Sequence, residues 1–349
     1  MPTPAGTPVD HRPLDSLLLE VRDLHVSFET PRGPLHAVNG VDFDLHRGRT
    51  LGVVGESGSG KSVMSKAIMG LLPRRGRTVG GSVRFDGTEL VGLDDTALRE
   101  FWGTEMAMIF QDPMTSLNPV MRIGRQITES LRMNLADMDR QTARATAIEL
   151  LSAVHIPAPE RRYKEYPGRL SGGMRQRVVI AVALACGPRL LFADEPTTAL
   201  DVTVQAQILD LLQEQQRERF MAMILVTHDL GVVAGRADDI AVMYAGRIVE
   251  YAPTRTLFAS MGHPYTHALM RSIPRLADPS HTRLDAIGGV PPNLVDPPRG
   301  CPFAPRCEYA QQRCLDERPE LLTLPEDPGH AVACHFPLRA NAPAEAEVG

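Results

Sequence analysis

Residues 55–62 read Gly55-Glu56-Ser57-Gly58-Ser59-Gly60-Lys61-Ser62. They fit G-x-x-x-x-G-K-[ST], follow the apolar run TLGVVG (50–55) and open a helical pattern from Lys61 to Leu72. This strand–loop–helix context gives the pattern its mechanism. Glycines let consecutive backbone amides turn inward around phosphate oxygens. The helix start adds partial positive charge. Lys61 is expected to reach the β- and γ-phosphates, and the Ser62 hydroxyl to serve Mg²⁺. Outside such a context the same residues would be a Gly/Ser-rich surface turn.

Outward from this loop, strand and helix patterns alternate. LLLEVRDLHVSF (17–28), in its second half, and VDFDL (41–45) alternate apolar and polar residues and predict strands. GSVRFDGTEL (81–90) predicts two short strands about an Asp86-Gly87 turn. LLFAD (190–194) and MILVTHD (223–229) are apolar runs of the buried-strand type, and residues 202–220 carry a helical period. IAVMYAGRIVEYA (240–252) predicts a hairpin turning at Ala245-Gly246. Between about 95 and 185 the periods are mostly helical, broken by Pro113, Pro119, Pro157 and Pro167. Buried strands alternating with helices predict an α/β fold with a parallel sheet covered on both faces and an added antiparallel part.

A length of 349 residues is a prior of about two domains. With 43% hydrophobic and 23% charged residues the chain can bury an ordinary globular core. The net charge of −5 gives no basic excess of the kind that non-specific nucleic-acid binding uses, so no nucleic-acid partner is expected. The longest apolar run, 178–186, is half the length a membrane helix needs. The N-terminal MPTPAGTPVDHRPLDS lacks the apolar core of a secretory signal. The expectation is a cytosolic protein, alone or docked to something. Among 37 basic residues only Lys61, Lys66 and Lys164 are Lys, which fits a GC-rich genome and adds weight to Lys61 as a chemical choice. The predicted divisions are a disordered lead-in (1–16), a nucleotide-binding domain (17–260), a Pro- and Cys-rich C-terminal domain that is mostly loop (261–337) and a disordered tail (338–349).

Two more motifs narrow the chemistry. Leu190-Leu191-Phe192-Ala193-Asp194-Glu195 is an apolar strand ending in two carboxylates. Asp194 is placed to hold Mg²⁺, directly or through water, and Glu195 to polarise an attacking water. A strand capped by an acidic turn is the plainer alternative. In Leu170-Ser171-Gly172-Gly173-Met174, Ser171 can cap the helix that continues through Arg175, Val178, Val182 and Ala185. The two glycines expose amides, making a second anion-binding helix start about 110 residues after the first. One chain does not need two such starts, whereas two chains face to face would each complete the other's site.

In order and spacing, Walker A at 55–62, LSGGM at 170–174, Walker B at 190–195 and His228 in VTHD resemble an ATP-binding cassette (ABC) transporter ATPase over residues 17 to about 260. The resemblance implies the P-loop NTPase fold of the ABC type: a mixed sheet core, an antiparallel β subdomain and a helical subdomain at about 112–185. It implies ATP and Mg²⁺ as cofactors. Phe28 matches an aromatic that stacks on adenine, and residues 55–62 with Val63 match the nucleotide loop. Gln111, in IFQDP, matches a loop that senses Mg²⁺ and the γ-phosphate and couples to the membrane partner. Ser171, Gly172, Gly173 and Met174 match the signature that reaches ATP on the second chain, although Met174 stands where Gln is commoner. Ala199-Leu200-Asp201 matches a loop across the dimer, and His228 a switch that contacts the γ-phosphate. Lys61, Gln111, Glu195 and His228 are thus the implied catalytic set, with Ser62, Gln111 and Asp194 around Mg²⁺. Taken singly, Phe28 would be core, Gln111 a surface amide and His228 a histidine at a strand end. The implied cycle closes two such domains on two ATP and parts them on hydrolysis, the helical region passing the motion to a membrane subunit.

Cys186 ends an apolar helix and is expected to be a buried core thiol. Cys301, Cys307, Cys314 and Cys334 are spaced C-x5-C-x6-C-x19-C. Disulfides are not expected in a cytosolic chain, so four thiols in 34 residues suggest a metal site. The spacings are wide for zinc and suit an iron–sulfur cluster; zinc and free thiols both stay open. GGVPPNLVDPPRGCPFAPRCEYAQQRC followed by HAVAC, with NPVMRIGRQITE (118–129) and GHPYTHALM (262–270), is similar to the ATPases of oligopeptide/dipeptide importers. Some of these carry a [4Fe–4S] cluster in this segment.

That resemblance implies import of peptides, or of nickel or glutathione. The implied partners are a second ABC ATPase subunit in a hetero- or homodimer, two membrane permease subunits and a periplasmic or lipid-anchored substrate-binding protein. The implied location is peripheral, on the cytoplasmic face of the inner membrane. A soluble ABC ATPase of DNA repair would need long coiled coils, and one of translation usually has two cassettes. A P-loop kinase would not need LSGGM.

Overall fold

The computed structural model of the chain describes residues 16–73, 75–112, 116–135, 138–198, 200–272 and 287–338. All but Ser16 of the expected lead-in, and all but Leu338 of the expected tail, lie outside those residues. The strands are β1 (Leu17–Thr30), β2 (Gly33–His46), β3 (Thr50–Val54), β4 (Arg77–Phe85), β5 (Thr88–Glu89), β6 (Met106–Ile109), β7 (Leu190–Asp194), β8 (Ala222–Thr227), β9 (Asp239–Tyr244), β10 (Arg247–Pro253), β11 (Leu322–Leu324) and β12 (Asp327–Val332). The chain divides into two compact units, one of residues 1–19, 44–49 and 85–226, the other of 20–43, 50–84 and 227–349.

In the first unit β6, β7 and β8 run parallel, with Met106 opposite Leu190 and Leu190 opposite Ala222. All five residues of β7 are buried. Continuous apolar runs of this kind suit strands covered on both faces, and each buried Leu, Ile or Phe contributes about 1.5–3 kcal/mol. Around them stand the helices Ile123–Asn134, Arg140–Ala153, Gly172–Ala183 and Val202–Arg219. The first two pack together and bury Ile127, Leu131, Ala143, Ala147 and Leu151. Asp139 caps Arg140–Ala153 by accepting from the amides of Gln141 and Thr142.

In the second unit β11, β12, β10, β9 and β3 are neighbours in that order. β3 and β9 are parallel, and the other pairs antiparallel. A second sheet places β2, β1 and β4 side by side. The expected β9–β10 hairpin turns at Ala245 (φ 51°) and Gly246 (φ 78°), and Asp86 (φ 49°) and Gly87 (φ 83°) turn the chain between β4 and β5. Positive φ at both central residues matches the twist of antiparallel strands.

Several elements depart from the sequence reading. β6 lies inside the stretch expected to be helical, because a four-residue apolar run carries no usable period. The helix opening at Lys61 ends at Ile68, not Leu72, with Gly70 at φ 68° just beyond it. The helix expected to reach Phe220 stops at Arg219, and Phe220 is left-handed at φ 51°. Most of the described C-terminal segment is loop, as expected, but not all of it. It holds the helix Pro264–Arg271 and the β11–β12 hairpin, which extends the sheet through β10. Pro264 sits in the first turn of its helix, where its missing amide costs nothing. Cys186 is half-buried rather than fully buried, its Sγ 3.7 Å from the Ser130 carbonyl, and burial pushes its thiol pKa up.

A buried polar knot fastens the C-terminal segment to β10. The Glu250 carboxylate, fully buried, accepts the amides of Gly262 (2.6 Å) and His263 (3.0 Å) and lies 2.7 Å from His330 Nε2 on β12. His263 Nδ1 accepts the Tyr265 amide at 3.0 Å and so caps Pro264–Arg271. Burial pushes the His263 imidazole from 6.5 down to about 4. The folded state thus resists a proton that the unfolded chain accepts, and stability is lost as pH falls from 6.5 towards 4. From this residue alone, unfolding free energy should drop by about 2 kcal/mol between about pH 7.5 and pH 5. His263→Asn keeps a capping acceptor and should flatten that part of the urea-denaturation profile. An unchanged slope would refute the assignment.

Candidate functional site

β3 delivers the chain to Gly55, and the helix Lys61–Ile68 begins after the loop. A Cβ at Gly55 would lie 2.1 Å from the Met243 carbonyl oxygen, and one at Gly60 2.4 Å from that of Ala37. Gly60 is also left-handed, at φ 102°. Only glycine fits both positions. Ser57 and Gly58 are exposed, Glu56, Ser62 and Val63 half-buried, and Ser59 buried. Lys61 is nearly buried, and its Nζ donates to the carbonyls of Gly55 (2.7 Å) and Glu56 (2.9 Å) and to Ser59 Oγ (3.4 Å). The ammonium is therefore held over its own loop. Phe28 is half-buried on β1, and His228 is exposed directly after β8.

Glu56 is held by residues that sequence reasoning missed. Its amide donates to Tyr265 Oη at 2.7 Å. Its carboxylate accepts both terminal nitrogens of Arg306, at 2.7 and 2.9 Å. This pair, with Tyr244, holds the guanidinium pKa above its usual value. Some 250 residues separate Arg306 from Glu56, and one arginine among 34 carries no local signal.

In the other unit, β7 ends on buried Asp194. Glu195 follows at φ 46°, a left-handed conformation that costs a non-glycine residue about 1–2 kcal/mol. Its amide donates to the Val226 carbonyl at 2.9 Å. Its Oε2 accepts from Gln111 Nε2 (2.9 Å) and Thr198 Oγ1 (3.0 Å). Gln111 and Glu195, 84 residues apart in the chain, are thus in direct contact.

Ser171 Oγ accepts the Met174 amide at 3.4 Å, and Asp201 Oδ1 accepts that of Val204 at 3.0 Å. Both side chains cap helices, and both residues are exposed. A Cβ at Gly173 would lie 2.6 Å from Val204 Cγ1, and one at Gly172 would touch Leu200 Cδ2 at 3.4 Å. The two glycines therefore pack the LSGGM turn against residues flanking Asp201. Ala199 lies outside the described residues.

Cys301, Cys307, Cys314 and Cys334 line one cavity, walled by Phe303, Phe336, Pro264 and Pro319. None of the four is in a disulfide. The Cys301 amide donates to the Cys314 carbonyl at 2.7 Å. A Cβ at Gly300 would lie 2.3 Å from that same oxygen, so only glycine admits this approach. Burial pushes the thiols of Cys301 and Cys307 up and that of Cys334 up to about 11, with neighbouring thiols acting in the same direction. Among the described residues, no group of three or more His, Cys, Asp or Glu is placed to hold a metal ion.

Residues 38–198 match the family described as ABC transporter, and residues 249–314 match the oligopeptide/dipeptide transporter C-terminal region. The oligopeptide transport ATP-binding protein OppD of Haemophilus influenzae is 53% identical over 297 residues, 85% of this chain and 91% of that protein. OppD of Escherichia coli is 49% identical over 335 residues, 96% and 97% of the two chains. The dipeptide transport ATP-binding protein DppD of Escherichia coli is 48% identical over 321 residues, 92% and 97%. A solved dimeric ATP-binding cassette in a post-hydrolysis state, bound to ADP and Pi, superposes with a TM-score of 0.61 at 27% identity and covers 68% of this chain and 99% of its own. The chain therefore belongs to the ABC transporter family and carries the C-terminal region of its oligopeptide/dipeptide transporters.

Proposed function

We propose that this chain is the ATP-hydrolysing subunit that energises import of peptides, or of related small solutes, by a membrane transporter. The observation that carries this reading is one chain with both the phosphate loop at 55–62 and the oligopeptide/dipeptide C-terminal region. Loop amides and the Lys61 ammonium receive the phosphates, and Phe28 stacks on the adenine. Bound Mg²⁺ would neutralise charge between the β- and γ-phosphates, and Ser62, Gln111 and Asp194 would hold it. Glu195, restrained by Gln111 and Thr198, orients the attacking water and accepts its proton. His228 contacts the γ-phosphate. Residues 171–174 and Asp201 serve ATP on a second ATPase subunit, in a hetero- or homodimer. Two permease subunits and a substrate-binding protein complete the assembly. None of the helices among the described residues is long and apolar enough to cross a membrane, and the subunit docks at the cytoplasmic face of the inner membrane. In proteoliposomes with its permeases, peptide-loaded binding protein is expected to raise ATP hydrolysis severalfold. Hydrolysis indifferent to both would sink this function.

For the four-Cys cavity, a [4Fe–4S] cluster fits better than Zn²⁺. Four soft thiols around one cavity suit a thiophilic group. Zn²⁺ is the alternative occupant, and a single zinc would draw the four sulfurs to about 2.3 Å of one point. A cluster spreads its cysteines over separate irons. Purified without oxygen, the chain should carry about four iron and four sulfide, with broad absorbance near about 400 nm. Stoichiometric zinc, or four titratable thiols, would reject the cluster and leave the ATPase assignment standing.

A further inference from the structure

Arg306 spends every donor it has. Its terminal nitrogens clasp both Glu56 oxygens, and the same nitrogens also donate to Tyr244 Oη (3.2 Å) and the Ile287 carbonyl (3.2 Å). Its Nε donates to the Gly288 carbonyl at 2.7 Å. All five N–H groups of a guanidinium are thus accounted for. Only 3% of the Arg306 side chain is exposed, against 28% for Glu56. The guanidinium lies over the rings of Tyr244 and Phe303, at 5.8 and 5.9 Å. So complete a set of bonds holds one rotamer of a flexible side chain in a single place.

The geometry places a negative charge on a loop read as receiving phosphates. An unpaired carboxylate there would repel the β- and γ-phosphates. Arg306 cancels that charge at bidentate range, and the Tyr265 hydroxyl holds the same residue by its amide. Arg306 belongs to the short turn Ala304–Arg306, and the next residue, Cys307, faces the thiol-lined cavity. One turn therefore presents a cation to the phosphate loop and a thiol to the cavity.

We propose that Arg306 is a positioning residue for nucleotide binding: through Glu56 it neutralises and orients the phosphate loop, so ATP affinity depends on how the Cys-bearing turn is seated. This rests on the reading of residues 55–62 as the nucleotide site. It needs no occupant in the cavity. By linkage, anything that moves this turn alters ATP affinity, and ATP binding alters the turn to the same degree.

The test is a double-mutant cycle on the full chain, with ATP competing against a fluorescent ATP analogue. Arg306→Ala alone should raise the ATP dissociation constant about tenfold or more, because it strands the Glu56 charge. In the Glu56→Gln background, the same Arg306→Ala change should raise it less than about threefold. Arg306→Lys keeps the charge without the fork and should fall between. In steady state the loss should appear in KM, with kcat nearly kept. A purely structural role for Arg306 predicts the same loss in both backgrounds, and that result overturns the proposal. So does an unchanged affinity in folded Arg306→Ala. Failure of the unaltered chain to bind ATP is a different outcome, and it removes the nucleotide-site reading as well.

Discussion

Glu195→Gln is expected to lower ATP turnover by about 10²-fold or more while ATP stays bound. The residue leaves β7 at φ 46°, a conformation that no local sequence preference favours. Its amide bond to the Val226 carbonyl and the hold of Gln111 and Thr198 on its carboxylate keep it there. Strain kept up by such restraints is characteristic of functional positions. Glutamine has the same length and can still accept from both neighbours, so the fold and the contact with Gln111 should survive. What it loses is the capacity to take a proton from water, a contribution of typically about 10²–10⁴ in rate. With the chemical step blocked, the ATP-bound two-chain state should accumulate and show as a larger species in size-exclusion chromatography with ATP but not with ADP. Near-normal turnover in the variant would exclude Glu195 as the base.

The parts of the site that were legible are those written in consecutive residues. The phosphate loop needs glycines at Gly55 and Gly60 because backbone oxygens crowd both positions, and the motif records that need. The β9–β10 turn was legible because Ala245-Gly246 sits between two short, largely apolar runs. Ser171 was legible as a cap because capping is local, whereas the Asp201 cap appeared only in the structure. The contact of Gln111 with Glu195 joins residues 84 apart, and no spacing rule foretells it. Their roles came from resemblance alone. The Glu250 knot and the Arg306–Glu56 pair span gaps of 80 and 250 residues. Each is made of polar side chains that look like ordinary surface charge until the chain folds. Proline density marked the C-terminal segment as mostly loop and hid the short elements within it, because proline also sits at the starts and edges of elements. β12 pairs with β10 over Glu250 and Tyr251, a contact that depends on tertiary fit.

Lys61 carries the other large effect: Lys61→Met should weaken ATP binding by about 10²-fold and reduce hydrolysis to background. The side chain is nearly buried, and its three protons are directed at two loop carbonyls and Ser59 Oγ. Two consequences of removing it must be separated. One is the loss of a compact positive charge where phosphates bind, and charged hydrogen bonds of this kind are worth about 1.5–3 kcal/mol each. The other is collapse of the loop whose carbonyls the ammonium bridges. Methionine fills a similar volume without charge, whereas Lys61→Ala also empties the space beneath the loop. If charge is what matters, both variants lose ATP alike, and the methionine variant keeps its urea midpoint closer to that of the unaltered chain. Lys61→Arg should fail as well, because a planar fork cannot direct three donors into so short a loop. A methionine variant that binds ATP within about threefold of the unaltered chain would show that loop amides alone carry phosphate recognition. Lys61 would then be a strut within the loop and not a ligand of ATP.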